Sequence, residues 1–166
     1  MKELTFSDFE KRKTPLTIKE LHDFELKHNV KLPDSYIEFM LKSNLNENGG
    51  VPKEGYFKCN ENEGFDIISS SNKKRNIEVD FSGLESLMFS PKNQLSPLLI
   101  IGVDSGGNFI CLSLSKENYN KVYFWDHEVE PFGAFDSNRE IPFEEFVNIY
   151  FICNSFEEFV DRLETE

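Results

Sequence analysis

The sequence predicts a single α+β domain, a mostly antiparallel sheet packed by N-terminal helices and a C-terminal helix. Three observations carry that expectation. Three apolar segments separated by short polar breaks run from Leu98 to Glu128 and read as a meander of strands. Two capped amphipathic patterns precede them, and another closes the chain. An amphipathic strand cannot bury its own face, so the meander needs helices laid on it.

Residues 1–16 mix charge with two Phe and end in Lys13-Thr14-Pro15, an N-terminal arm or lead-in in which Pro15 resists a helix. The domain proper is expected over 17–166. Thr17 fits an N-cap, and Glu20 three residues on completes a capping-box pattern. Ile18, Leu21 and Phe24 recur at helical spacing with His28 on the same flank, and this helix should stop near Asn29. Leu32-Pro33-Asp34-Ser35 opens a second helix, with proline at its start and Asp34 and Ser35 able to meet its free amides. Tyr36, Phe39 and Met40 share one face, widened by Ile37 or Leu41. Glycines 49 and 50 permit a left-handed exit, and Pro52 bars continuation.

Tyr56 to Cys59 reads as a short strand, Ile77 to Phe81 as an edge strand, and Leu84 to Phe89 as a turn-rich or helical connection. Between them Lys73-Lys74-Arg75 stands alone in an acidic chain and reads as a solvated loop, not an anion site. In the meander, Leu99 to Val103 stops at Asp104, and Gly106-Gly107 supplies the positive φ of a tight reversal. Ile110, Leu112 and Leu114 then alternate with Phe109, Cys111 and Ser113, and Val122 to Trp125 follows a second polar reversal. Phe132 to Asn138 is a loop, and Phe146 to Cys153 suits a buried helix or a strand. Ser155 and Glu158 repeat the capping pattern before a last helix whose inner face is Phe156, Phe159, Val160 and Leu163.

Composition limits the function classes. The chain of 166 residues can bury a real core, and 17 Phe argue against disorder. The Met-Lys-Glu start lacks the apolar stretch of a signal peptide, and no apolar run approaches the roughly 18 residues of a membrane helix. A cytoplasmic protein is expected, with Cys59, Cys111 and Cys153 as reduced thiols. The formal charge of −12 is concentrated near the end: residues 126–166 carry twelve acidic and two basic side chains. Such a field repels nucleic acid and anionic membrane and steers a basic partner inward.

Asp126-His127-Glu128 and Glu130 invite a metal or acid–base reading. Strand alternation from an inward Trp125 would send Asp126 outward and His127 inward, so the group would not converge. The i, i+4 histidine pair of a metalloprotease is absent, as are a serine nucleophile elbow, a nucleotide fingerprint and a paired-cysteine motif. No catalytic residue, metal or cofactor is expected.

Three phrases together resemble one family: LPDSY continuing through IEFMLKSN toward Gly49-Gly50, the hairpin IGVDSGGNFICLSL, and the closing SFEEFVDRL. The chain resembles the SMI1/KNR4, or SUKH, superfamily from residue 17 to 164. Leu32, Pro33, Tyr36, Phe39, Gly49 and Gly50 match the first phrase; Ile101, Gly102, Asp104, Gly106, Gly107 and Asn108 match the hairpin; Trp125, Ser155, Phe156 and Phe159 match later positions. The segment 60–88 matches least. The resemblance implies a compact α+β domain that is not an enzyme. Many bacterial members are immunity proteins that neutralise polymorphic or contact-dependent toxins, often nucleases, whereas fungal relatives are linked to cell-wall synthesis and signalling.

The function expected from this resemblance is binding and neutralisation of a cognate toxin, a nuclease among the candidates. The alternative is a non-catalytic regulatory protein-binding module. A nuclease presents a positive groove to its substrate, which an acidic protein can occupy. Asp126, Glu128, Glu130, Asp136, Glu157 and Asp161 are the expected contacts with a basic toxin domain.

Overall fold

The computed structural model describes residues 1–46, 48–53, 56–58, 76–84, 88–89, 97–129 and 148–164. Two helices come first. In α1 (Ile18–His28) the Thr17 hydroxyl accepts from Glu20 N, and the Glu20 carboxylate accepts from Thr17 N at 2.8 Å, so both halves of the capping box form. Asn29 closes α1 in the left-handed region at φ 52°, and the His28 ring lies 4.5 Å from that of Phe24. In α2 (Asp34–Ser43) Pro33 occupies the N-cap position and no side chain caps the helix, contrary to the role expected of Asp34 and Ser35. Tyr36, Ile37, Phe39, Met40 and Ser43 are its buried face. Its exit is taken by Asn44 at φ 52°, five residues before the glycine expected to provide it.

The strands are β1 (Tyr56–Lys58), β2 (Asn76–Glu78), β3 (Asp80–Phe81), β4 (Met88–Phe89), β5 (Leu98–Val103), β6 (Phe109–Ser113), β7 (Val122–Trp125), β8 (Ile149–Cys153) and β9 (Leu163–Glu164), with α3 (Phe156–Asp161) between the last two. The main sheet runs β3-β5-β6-β7-β8, and β4 also pairs with β5; a small sheet runs β2-β1-β9. Every pairing is antiparallel. The meander and the helices flanking it are as the sequence predicts.

Both faces of the main sheet are covered. Leu99, Ile101, Ile110, Leu112, Phe124 and Ile152 turn toward α2 and α3 in the main core. Leu98, Cys111, Tyr123, Trp125 and Ile149 form a second buried cluster on alternate positions of the same strands. Burial on two sides explains why these strands read as nearly continuous apolar runs. Aromatic rings make the main core's centre: Phe39 lies 4.8 Å from Phe81 and 5.2 Å from Phe156, and Tyr36 meets Phe156 edge-on at 5.1 Å. Each such ring removes apolar surface worth about 1.5–3 kcal/mol from water.

The lead-in joins this core. Leu4, Phe6 and Leu16 are buried, and the Phe6 ring meets Phe39 and Phe81 edge-on at 6.1 Å. Asn44 sews the lead-in to the end of α2: its carbonyl accepts from Arg12 N at 2.9 Å, and its side-chain oxygen accepts from Leu16 N at 2.8 Å.

Three element boundaries depart from expectation. The run Ile77 to Phe81 is divided at buried Val79 between β2 and β3, in different sheets. Met88 and Phe89 pair with Leu99 and Leu98 as a strand where a turn or helix was expected. The last helix ends at Asp161; Leu163 is buried as expected, but as a strand residue opposite Phe57. The open alternative at Phe146–Cys153 resolves to strand over Ile149–Cys153. Cys59, the Lys73–Arg75 run and the loop 132–138 lie outside the described residues.

Candidate partner-binding surface

The four acidic candidates among the described residues fall into two pairs rooted at opposite ends of the β7–β8 ladder, where Val122 faces Cys153 at one end and Trp125 faces Ile149 at the other. Glu157 and Asp161 stand one turn apart on α3, beyond the Cys153 end. Ser155 starts that helix by accepting from Glu158 N at 3.1 Å, while the Glu158 carboxylate reaches past Ser155 to Asn154 N at 3.0 Å. Asn120, at φ 69°, lends its side-chain oxygen to Phe156 N at 3.1 Å and ties the β6–β7 reversal to the helix start.

The charge of α3 is largely answered within the chain. The Met1 ammonium lies 3.1 Å from Glu157 Oε1 and 3.8 Å from Asp161 Oδ2, and Lys2 N donates to Asp161 Oδ1. The hydrogen bond to Glu157 chiefly holds the Met1 amine above its ordinary pKa. Glu158 pairs with Arg162, whose guanidinium also reaches Ile152 O at 3.2 Å.

Asp126 and Glu128 occupy the other end, beside the β5–β6 reversal. Here the expected alternation inverts: Asp126 is buried at 9% exposure, and His127 is exposed. The reason is that the ladder continues one residue beyond Trp125. Asp126 N donates to Asn148 O at 2.9 Å, and Asn148 Nδ2 donates to Asp126 O at 2.8 Å. The chain then leaves strand geometry for a 3-10 turn over His127–Val129, started by Asp126 Oδ1 accepting from Glu128 N at 2.9 Å. With both sheet faces buried, the residue after Trp125 has no solvent side to turn to. Glu130 and Asp136 lie outside the described residues.

Sequence reasoning missed the link from His127 to the neighbouring hairpin. Asp104 Oδ1 accepts from Gly106 N at 2.9 Å and Asn108 N at 2.8 Å, and Asp104 Oδ2 accepts from Asn108 Nδ2 at 3.0 Å. The other end of the Asn108 amide, Oδ1, meets His127 Nδ1 at 2.8 Å and accepts from His127 N at 3.1 Å. The glycine signal at 106–107 was legible; a contact 19 residues along the chain was not.

Among the described residues no group of three or more His, Cys, Asp or Glu could hold a metal. Burial pushes the Cys111 thiol up to about 12, which keeps it protonated and unreactive. Cys111 and Cys153 are both free and buried. No helix among the described residues is long and apolar enough to cross a membrane.

Compared with known proteins, residues 15–162 match the model of the SMI1 / KNR4 family (SUKH-1). No curated protein and no solved structure matches the chain.

Proposed function

Because the chain belongs to the SMI1/KNR4 family, we propose that it is an immunity protein, a non-catalytic cytoplasmic binder that holds a cognate toxin domain and blocks its working surface. The match over residues 15–162 carries the reading, since the superfamily includes toxin-neutralising immunity proteins. The charge supports a basic partner of the nuclease kind. A formal charge of −12, concentrated in residues 126–166, complements the positive groove by which a nuclease grips its substrate and speeds association with it.

Of the six acidic residues proposed as contacts, Glu128 has its carboxylate exposed and unpaired among the described residues, while Glu157 and Asp161 would exchange the Met1 amine for a partner's cation. Asp126 supports the turn that presents Glu128.

Calorimetry against the C-terminal domain of a toxin encoded beside this protein tests the reading. Nanomolar one-to-one binding that also abolishes toxicity is the expected result. Absence of binding by the folded protein would refute it and favour a regulatory module with a different partner.

A further inference from the structure

The β5–β6 reversal and the turn beside it use most of their backbone N–H donors internally, the exposed Ser105 being the exception. Gly106 N and Asn108 N go to Asp104 Oδ1, and Gly107 N goes to Asp104 O at 3.0 Å. His127 N goes to Asn108 Oδ1, and Glu128 N to Asp126 Oδ1.

The side-chain relay fixes the orientation of the Asn108 amide and the tautomer of a neutral His127 ring. An ionised Asp104 only accepts, so Asn108 turns Nδ2 toward it and Oδ1 toward His127. An amide oxygen also only accepts, so His127 Nδ1 carries the hydrogen. When the ring is neutral, Nε2 is then the bare acceptor. Ser105, Gly106, Gly107, His127 and Glu128 are all exposed. Among the described residues the Ser105 and Gly106 carbonyls, His127 Nε2 and the Glu128 carboxylate take part in no hydrogen bond or ion pair.

We infer that this hairpin tip, with His127 and Glu128, is a contact surface for arginine side chains of a protein partner. A guanidinium carries five donors and no acceptor, the complement of the Ser105 and Gly106 carbonyls, the Glu128 carboxylate and the Nε2 lone pair of a neutral His127. The glycines let a side chain approach the backbone. The Asp104–Asn108–His127 relay fixes the imidazole beforehand, so less ordering entropy is lost on contact. The inference rests on the immunity reading only for the identity of the partner as a toxin. It assigns a direct role to His127, and to Asp104 and Asn108 the role of positioning residues.

The test is a nuclear magnetic resonance titration of the full 15N-labelled chain with the blocked tripeptide Gly-Arg-Gly, and with Gly-Gln-Gly as control. Saturable shifts at Gly106, Gly107, His127 and Glu128 with the arginine peptide alone are expected. His127→Ala and Glu128→Gln should each weaken that binding, by about fivefold to tenfold. A long-range proton–nitrogen spectrum should show the Nδ1–H tautomer of His127. Shifts confined to α3, equal response to the control, unchanged binding in the folded variants, or an Nε2–H tautomer would each overturn the inference. No toxin enters this assay, so its failure and failure of the immunity reading are separate outcomes.

Discussion

Replacing Gly49 by alanine should be among the most damaging single-methyl changes in the protein. Gly49 sits at φ +77°, and a Cβ built there would lie 1.7 Å from the Phe81 carbonyl oxygen and 2.7 Å from its carbon. That carbonyl belongs to a reciprocal bridge: Gly50 N donates to Phe81 O, and Phe81 N to Gly50 O, both at 2.7 Å. The bridge holds the backbone of a residue whose ring is central to the aromatic core. The left-handed conformation costs alanine about 1–2 kcal/mol, and loss of two hydrogen bonds costs about 1 kcal/mol each. Gly49→Ala should therefore lose roughly 3–4 kcal/mol, a large part of the 5–15 kcal/mol typical of a domain. Gly107→Ala provides the comparison. It has nearly the same angle, φ +82°, but its added Cβ would meet only His127 Cε1, at an ordinary 3.6 Å. That change should cost about 1–2 kcal/mol. Urea unfolding followed by circular dichroism measures both. Equal losses in the two variants would mean that backbone angle alone matters and that the packing argument is wrong.

Three further outcomes follow from the geometry. Phe156→Ala removes a fully buried ring that contacts Tyr36 and Phe39, and should cost about 3–5 kcal/mol in the same unfolding assay. Asn120→Ala loses both the hydrogen bond to Phe156 N and a side chain tolerant of positive φ; a loss of about 1–2 kcal/mol is expected, and replacement by glycine should recover part of it. Hydrogen bonds from Thr17 hold the Glu20 carboxyl below its ordinary value of 4.5 in the folded chain. Its contribution is therefore present above about pH 4.5 and lost as pH falls through the lower folded value. Glu20→Gln should reduce the stability difference between pH 7 and pH 3, as read from urea midpoints; an unchanged difference would show that this cap is not ionic.

Local signals in the sequence were strong where one residue type had one physical use. Thr17 with Glu20 marked the start of α1 to the residue, and Gly106-Gly107 marked the hairpin reversal. Signals failed where tertiary pairing overrode pattern. Leu163 keeps the helical spacing of Phe156 and Phe159, yet it extends to pair with β1 because the helix has ended two residues earlier. Asp126 illustrates the same limit at the candidate site. Two-state alternation assumes one wet face, and a sheet buried on both faces has none. The N-terminal contacts of Glu157 and Asp161 could not be read at all, since they join positions more than 150 residues apart.

The lead-in has a bearing on where this protein can be cut. The family pattern begins at residue 15, but Leu4 and Phe6 already lie among the rings of the core, and the Thr5 carbonyl accepts from Lys53 N at 2.9 Å. A fragment trimmed to the family boundary would lose buried Leu4 and open a gap the size of the Phe6 ring beside Phe39 and Phe81. The recurring pattern of a family and the smallest piece that folds cooperatively are different objects. In this chain the second reaches upstream of the first.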